Sequence, residues 1–354
     1  MLLISPGVTR FTAGHLILLL LLATVLLACG CMEPSISQDT GMPPAENTVT
    51  ITDSRGNTIL LPRTAVRIVS QNGMATEVLI AIGAGDRVVG IGDSLATQTY
   101  LTDKIPRALS IGKELTPDHE RIAALRPDVI IAYASNSCNI EKAALQNVTV
   151  IYLACNSPLI LAGDARKLGN LTSNEEGAER YARFVERHLS LAMVRVSKIT
   201  EDEYPRVYLE TYSDYMAQGN SSTGGSLLRM LRARNVAGDI PVSYATVSPE
   251  WIVDQDPDII IKFVSRSDNL TEKYESLISR PSFSELRAVR EKRVYIINRD
   301  YIEGPRGIAG LLAMGKILHP EEFLDIAPEE VLREYADTFI TGSDSIATVV
   351  PPVK

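Results

Sequence analysis

The stretch Glu120-Arg-Ile-Ala-Ala-Leu-Arg-Pro127-Asp128-Val-Ile-Ile-Ala-Tyr-Ala-Ser135 decides the fold, because it recurs 130 residues later as Glu250-Trp-Ile-Val-Asp-Gln-Asp-Pro257-Asp258-Ile-Ile-Ile-Lys-Phe-Val-Ser265. In each copy a proline ends a short helix, since its ring disfavours helical geometry in the residue before it. The continuous apolar run that follows is typical of a strand buried on both faces of a parallel sheet. The repeat therefore predicts two similar α/β lobes with a cleft between them.

The composition is that of an acidic globular protein. The chain has 354 residues, of which 45% are hydrophobic and 22% charged, enough for two domains that each bury a core. Its formal net charge of −8 and its isoelectric point near 5.2 disfavour nucleic acid, which binds clustered lysine and arginine. We expect no nucleic-acid partner.

The N-terminal segment resembles a secretory signal. Arg10 precedes an apolar stretch over residues 16–28, and Leu26-Leu27-Ala28-Cys29 resembles a lipobox, in which the cysteine is lipidated. An uncleaved transmembrane anchor is the alternative, although the apolar run is shorter than the roughly 20 residues that a span needs. Under either interpretation the rest of the chain lies outside the cytoplasmic membrane.

The domain organisation follows from composition and periodicity. Between residues 174 and 199 the apolar residues fall on one face of a single helix, long enough to join two lobes and to keep the cleft comparatively stiff. We predict a signal peptide at 1–28, a proline-containing tether at 29–48, an N-terminal lobe at 49–170, a connecting helix at 171–203, a C-terminal lobe at 204–340 and a tail at 341–354.

Each lobe is predicted to be a doubly wound, Rossmann-like α/β unit. The predicted strands are 67–70, 88–91, 129–134 and 148–154 in the first lobe, and 206–210, 259–264 and 293–298 in the second. Thr116-Pro117 and Ser248-Pro249 each predict a helix start, with a capping hydroxyl before a proline. The segment 211–223 is predicted to be a loop.

Candidate ligand residues are taken from the loops at the carboxyl ends of the strands, where such sheets bind ligands. These are Gln71, Asn72, Tyr133, Ser135 and Asn136 in the first lobe, and Tyr212, Tyr215, Asn220, Arg299, Tyr301 and Arg306 in the second. Tyrosine rings and guanidinium groups suit a large, partly anionic chelate or macrocycle. Structural packing is the alternative for each tyrosine, and a structural clamp is the alternative for Arg306.

Cysteine and histidine leave two further questions. Cys138 follows the predicted strand 129–134 and Cys155 ends the predicted strand 148–154; if these two strands are neighbours in the sheet, a disulfide is expected in an oxidising compartment, with a metal pair as the alternative. His119, His188 and His319 lie on predicted helices, far from any carboxylate cluster that resembles a ligand set. We therefore expect no metal-ion site.

Catalytic motifs are absent from the sequence. It contains no Gly-x-Ser-x-Gly elbow, Walker loop or His-Glu-x-x-His pattern, and Gly83-Ala-Gly85 does not complete a dinucleotide fingerprint. We expect neither an enzyme nor a cofactor.

From residue 51 to about 339, the chain is similar to the iron-siderophore and cobalamin class of ABC-transporter substrate-binding proteins. The stretches that carry the resemblance are Arg67-Ile-Val-Ser70, Glu77-Val-Leu-Ile-Ala-Ile-Gly83-Ala-Gly-Asp86-Arg-Val-Val-Gly90, both Pro-Asp units, Arg293-Val-Tyr-Ile-Ile297 and Gly304-Pro305-Arg306.

This resemblance implies two lobes joined by one long helix, and capture of an iron chelate or a cobalamin-type ligand without chemistry. It also implies a monomer that docks on a permease dimer with its ATPase, through a glutamate on each lobe. The matching positions are Glu120 and Glu250, although carboxylates near helix starts are also favoured by the helix dipole. The alternatives are a bare metal-ion binding protein of the same fold and an extracellular sensor lipoprotein.

Overall fold

The computed structural model describes residues 48–135, 140, 148–265 and 267–340. The predicted signal peptide, the lipidation site Cys29, residues 29–47 of the tether and the tail 341–354 lie outside the described residues, as do Asn136 and Cys138.

The N-terminal lobe begins with an antiparallel hairpin and continues as a parallel sheet. Its strands are β1 (Val49–Thr52), β2 (Thr58–Leu61), β3 (Ile68–Ser70), β4 (Val88–Ile91), β5 (Leu109–Ser110), β6 (Gly112–Lys113), β7 (Thr116–Pro117), β8 (Val129–Tyr133) and β9 (Thr149–Leu153). The five-stranded sheet has the order β5-β4-β3-β8-β9, with every pair parallel. The helices of this lobe are α1 (Gly73–Ala81), α2 (Asp93–Ala96), α3 (Thr99–Thr102) and α4 (His119–Ala124).

Two packed helices lead from this lobe to the next. They are α5 (Pro158–Thr172) and α6 (Glu175–Val196), and the 22-residue α6 lies where the connecting helix is predicted. α5 is absent from the sequence-based prediction, although Ser157 and Pro158 start it with the same Ser-Pro signal as Ser248 and Pro249.

The C-terminal lobe repeats the parallel core and adds antiparallel strands at one side. Its strands are β10 (Arg206–Glu210), β11 (Met216–Gln218), β12 (Arg234–Asn235), β13 (Tyr244–Thr246), β14 (Ile259–Val264) and β15 (Val294–Asn298). The sheet has the order β13-β11-β10-β14-β15, with β12 also paired to β10. The helices are α7 (Thr223–Met230), α8 (Pro249–Gln255), α9 (Leu270–Ile278), α10 (Arg287–Arg290), α11 (Gly307–Leu318) and α12 (Pro328–Tyr335), and a π-helical turn follows at Ala336–Ile340.

One apolar core joins the lobes. It covers one face of each sheet and passes through α5 and α6, while a smaller core covers the opposite face of each sheet. The last described segment, residues 336–340, also packs on the connecting helix, because the Phe339 ring lies 5.3 Å from the rings of both Tyr181 and Phe184. The α/β fold class is confirmed.

The repeated aspartates have the same structural role in both lobes. Asp128 Oδ2 accepts hydrogen bonds from the backbone N–H groups of Val66 and Arg67, and Asp258 Oδ2 accepts one from Arg206 N–H at 2.8 Å. Each carboxylate thus anchors the start of the neighbouring central strand. The repeat is therefore a structural unit as well as a sequence pattern.

Two local predictions need correction. Thr116 and Pro117 form strand β7, paired with β6, and the cap of α4 is Asp118, whose carboxylate accepts from Glu120 N–H and Arg121 N–H. The segment 211–223 contains β11, which runs antiparallel to β10. Both segments pair with a strand only a few residues away along the chain, and this pairing overrides the local signal.

Candidate ligand-binding cleft

A cavity of about 550 Å³ lies between the lobes. Such a volume suits a small-molecule site. The N-terminal lobe contributes Gly73, Met74, Glu77, Ser94, Leu95, Thr97, Gln98 and Tyr133, and the C-terminal lobe contributes Ser265, Ser267, Arg299, Asp300, Glu303, Gly304 and Arg306. The lining is polar apart from Met74, Leu95 and the Tyr133 ring.

On the C-terminal side, Arg299 is already paired within the wall. Its NH2 group donates to Glu303 Oε2 at 2.6 Å, and its guanidinium carbon lies 5.3 Å from the centre of the Tyr212 ring. Burial lowers the pKa of Arg299, but the charge and hydrogen bond of Glu303 together with Tyr212 and Asp300 outweigh burial and leave this pKa above its ordinary value. Arg299 is thus a neutralised, oriented cation at the cavity wall.

At the base of the cavity, Arg306 joins the two lobes. It is 7% exposed, and its NH2 group donates to Glu77 Oε2 of α1 at 3.1 Å. Tyr335 donates to the other oxygen of Glu77 at 3.0 Å. Burial lowers the pKa of Arg306, but the surrounding acidic groups, Glu77 before Tyr100 and Asp300, together raise it above its ordinary value. Among the described residues the buried Arg306 Nε has no hydrogen-bond partner.

The close approach of the lobes here requires a glycine. Gly304 has φ +70°, and a Cβ atom at this position would lie 3.0 Å from Met74 Cγ across the interface. A larger residue would be strained by its backbone conformation and would push α1 away. The Gly-Pro-Arg stretch therefore fits the contact between α1 and the loop before α11.

The N-terminal wall is held by a chain of polar contacts. Gln71 Nε2 donates to the backbone carbonyl of Glu114, and the Glu114 carboxylate accepts from Ser94 N–H at 2.8 Å and from the Ser94 hydroxyl. Ser94 lines the cavity. Gln71 thus acts through Glu114 on the wall, rather than from the wall itself.

A family model described as periplasmic binding protein matches residues 68–301. The chain belongs to the periplasmic binding protein family. Its relatives include YvrC of Bacillus subtilis, described as an uncharacterized ABC transporter substrate-binding lipoprotein. YvrC is 25% identical over 315 residues, which are 86% of this chain and 96% of the relative. The cobalamin-binding protein of Halobacterium salinarum is 24% identical over 322 residues, 86% of this chain and 84% of the relative.

A solved structure has the same fold. The TroA-like periplasmic binding protein FepB from Veillonella parvula matches with a TM-score of 0.70 at 23% identity, covering 84% of this chain and 97% of that one. At this identity the likeness supports the fold alone.

Within this periplasmic binding protein, three of the eleven predicted ligand residues line the cavity, namely Tyr133, Arg299 and Arg306. Tyr212 lies beside them, because its ring faces Arg299. Asn136 falls outside the described residues.

The other predicted residues have structural contacts instead. Asn72 is fully buried, caps α1 with its side-chain oxygen and donates to Leu153 O at 2.8 Å. Tyr215 packs under the guanidinium of Arg280, and Tyr301 is 3% exposed in the main core. Ser135 is exposed and lies just beyond β8, the strand whose last residue, Tyr133, lines the cavity.

Asn220 lies at the opposite edge of its sheet. β11 turns back along β10, so the residues after it reach the amino end of β10, where Asn220 shares a separate pocket with Arg206 and Arg234. It is not among the residues that line the cleft.

Sequence reasoning missed the wall formed by Ser94, Thr97 and Gln98, which follows β4. The rule that ligands sit beyond strand ends would have found it, had it been applied to the predicted strand 88–91 as well. It also missed Asp300 and Glu303, acidic residues between the two predicted arginines.

Glu120 and Glu250 occupy equivalent positions. Both are exposed and lie in the first turn of α4 and α8, the helices that precede β8 and β14. Because each helix runs antiparallel to the strand that follows it, both glutamates lie at the carboxyl edge of their sheet, on the cleft side. Hydrogen bonds from its own backbone N–H and from the Ser248 side chain lower the pKa of Glu250.

Three of the cysteine and histidine side chains singled out in the sequence, those of Cys155, His188 and His319, are buried inside the protein. Cys155 is fully buried, and burial followed by the charge of Asp164 raises the pKa of its thiol. Its pairing with Cys138 stays a prediction. His188 and His319 are hydrogen-bonded to the backbone carbonyls of Phe184 and Leu231, respectively.

The described residues contain no group of three metal-ligating side chains. None of the helices among them is long and apolar enough to cross a membrane.

Proposed function

We propose that the chain is the extracytoplasmic substrate-binding component of an ABC importer, and that its cleft captures a corrinoid of the cobalamin type. The observation that carries the proposal is the cavity lined from both lobes and closed at its base by the contact between Arg306 and Glu77. The Halobacterium relative, named for cobalamin binding over most of both chains, supports the corrinoid class.

The charge of the cavity favours a ligand with no net negative charge. Its described charged lining comprises three acidic residues, Glu77, Asp300 and Glu303, and two basic ones, Arg299 and Arg306, which sum to −1. Both arginines are already paired with carboxylates of the wall. Arg266 lies outside the described residues and is not included in this sum. A described lining of this charge does not attract an anionic ferric chelate.

Isothermal titration calorimetry of the full chain in detergent tests this function with cyanocobalamin and ferric citrate. We expect one cyanocobalamin per chain at micromolar affinity or better, and ferric citrate at least tenfold weaker. Tyr133→Ala should weaken cyanocobalamin binding, whereas Asn220→Ala, at the far edge of its sheet, should not. No binding of cyanocobalamin would reject the corrinoid class. Tight binding of ferric citrate alone would reject the charge argument.

A charge variant sharpens the same experiment. Glu303→Gln removes the carboxylate that pairs with Arg299 and makes the cavity more positive by one charge. Ferric citrate should then bind more tightly than to the natural chain, while cyanocobalamin should change little. An unchanged affinity for ferric citrate would contradict the role assigned to Glu303.

Docking on the permease is assigned to Glu120 and Glu250. Their equivalence in the two lobes matches a two-fold arrangement of permease subunits, each offering a basic group. Glu120→Lys with Glu250→Lys should abolish uptake of labelled cobalamin by cells and leave ligand affinity intact. Glu175→Lys, an exposed carboxylate at the start of α6, is the matched control. Lost ligand affinity in the double variant would refute the docking assignment.

Cys29 is assigned as the lipid anchor of the mature chain. Cys29→Ser should move the protein from the membrane fraction to the soluble extracytoplasmic fraction. Retention in the membrane would instead identify residues 16–28 as an uncleaved anchor.

A further inference from the structure

The turn of the N-terminal hairpin packs on the cleft edge of the N-terminal sheet. This turn, residues 53–57, precedes the region matched by the family model. Ser54 N–H donates to Tyr152 O at 2.7 Å, and Ala154 N–H donates to Ser54 Oγ at 3.1 Å. The Asp53 carboxylate accepts from the backbone N–H groups of Arg55 and Asn57, both at 2.9 Å. The turn is thus fixed internally and docked beside the end of β9.

Arg55 reaches from this turn to the strand that lines the cleft. Its guanidinium carbon lies 3.5 Å from the centre of the Tyr152 ring. Its Nε donates to Ala134 O at 3.0 Å, and its NH2 group donates to Ser135 O at 2.5 Å. These two carbonyls directly follow Tyr133, which lines the cavity. One planar guanidinium therefore stacks on a ring and bridges two successive carbonyls, a geometry that lysine cannot reproduce.

In the C-terminal lobe the neighbouring strand supplies the hydrogen-bond donor that Arg55 supplies in the N-terminal lobe. The repeat aligns Ser135 with Ser265, and Ser265 O accepts a hydrogen bond from Asn298 Nδ2 at 3.5 Å. Asn298 ends β15 and is the register partner of Val264. In the N-terminal lobe the repeat aligns Ala134 with Val264. Tyr133 pairs with Leu153, so Ala134 lies opposite the next residue, Ala154. Ala154 therefore takes the place of Asn298, and its methyl group cannot donate a hydrogen bond. The hairpin supplies from outside the sheet the donor that the neighbouring strand lacks.

We propose that Arg55 is a positioning residue of the ligand cleft, which holds Ala134 and Ser135 so that Tyr133 faces the bound molecule in one orientation. The hairpin 49–61 is then part of the site, although it contributes no residue to the cavity lining. The effect on affinity rests on the proposed function, whereas the effect on the backbone does not.

Arg55→Ala tests the proposal with two readouts. Hydrogen exchange of the unliganded full chain should become faster in peptides covering residues 129–135, and cyanocobalamin affinity should fall at least tenfold with little change in melting temperature. Arg55→Lys should behave like Arg55→Ala. Arg63→Ala, which removes an exposed arginine paired with Asp128 at the other edge of the sheet, should change neither readout.

A second variant separates positioning from general stability. Ala154→Asn in the Arg55→Ala background supplies the donor that Asn298 supplies in the C-terminal lobe, and should restore slow exchange and most of the affinity. If natural chain and variants all fail to bind cyanocobalamin, the ligand assignment is wrong, while the exchange readout still decides the role of Arg55. Unchanged exchange in Arg55→Ala, or a large fall in melting temperature that Ala154→Asn does not reverse, would overturn the proposal.

Discussion

In the C-terminal lobe a buried cluster of charges stabilises the cleft edge, whereas the corresponding positions of the N-terminal lobe are neutral. Strand register aligns Glu210 with Gln71 and Lys262 with Ala132. Glu210 and Lys262 are 0% and 1% exposed, and their side chains form an ion pair. The same backbone frame thus carries opposite side-chain chemistry in the two lobes.

The charged cluster fixes the loop 211–215 from inside the lobe. Arg280 donates to both oxygens of Glu210 at 2.8 and 2.9 Å, and Glu210 also accepts from Tyr215 N–H at 3.0 Å. Asp214 completes the cluster through Lys262 and Arg280, so its four charges sum to zero. Tyr215 is held at φ +61°, an uncommon conformation for a bulky residue. The loop therefore presents Tyr212 to Arg299 in a fixed position.

The N-terminal lobe fixes its edge from outside, through the hairpin and Arg55. The comparison teaches that the repeat specifies strands and their register, while each lobe stabilises its cleft loops by its own means. Disturbing buried charges should affect the C-terminal lobe strongly, and disturbing the neutral equivalents should affect the N-terminal lobe weakly.

The largest expected effect is that of Glu210→Ala. It leaves Lys262 and Arg280 buried with only Asp214 as a charged partner, and the free energy of unfolding should fall by about 3–5 kcal/mol. Urea unfolding followed by the fluorescence of Trp251, the single tryptophan and a residue of α8, measures it in this lobe. Gln71→Ala, the neutral equivalent, should lower the free energy by about 1 kcal/mol. Equal losses would contradict the contrast between the lobes.

Substitution of the repeated aspartates should have a smaller effect, similar in the two lobes. Asp128→Ala and Asp258→Ala each remove a charged acceptor of backbone hydrogen bonds and should cost about 1.5–3 kcal/mol. Asp128 should cost more, because it accepts from two N–H groups rather than one. Native-state hydrogen exchange in β3 and β10 measures each loss locally. The asparagine variants, which keep an acceptor oxygen, are the controls; a loss in one lobe alone would break the equivalence of the repeat.

The sequence predicted the strands better than the site. Short segments rich in apolar residues located strands 88–91, 206–210 and 259–264 with the bounds that the structure has. Asn220 was misplaced because the reversal at β11 depends on pairing with β10, which no local pattern records. Asn72 and Gln71 do lie at a strand end, as predicted, but their side chains turn into the protein to cap α1 and to hold Glu114. Which polar residue at a strand end faces the cleft is decided by packing partners distant in sequence.

The smallest expected effect is the change with pH of the stability that Asp214 contributes. Burial raises the pKa of Asp214, but its bonds to Lys262 and Arg280 outweigh burial and hold this pKa below its ordinary value. A carboxylate whose pKa is lowered by folding stabilises the protein fully above its unfolded pKa of about 3.9, and this contribution is lost as the pH falls through the folded value. Because the side chain is 56% exposed, solvent limits the contribution to about 1 kcal/mol at most. Asp214→Asn should thus lower the free energy of unfolding at pH 6, measured by urea unfolding with Trp251 fluorescence. Its deficit against the natural chain should shrink towards pH 2.5.

Asp53 tests the same range of pH in the N-terminal lobe. Burial raises the pKa of Asp53, but hydrogen bonds from Asn57 and Arg55 outweigh burial and lower this pKa. Asp53→Asn should speed hydrogen exchange in the hairpin at neutral pH and leave exchange in β10 unchanged. If the loss of stability in either variant grew as the pH fell, the pH dependence argued for both carboxylates would have the wrong sign.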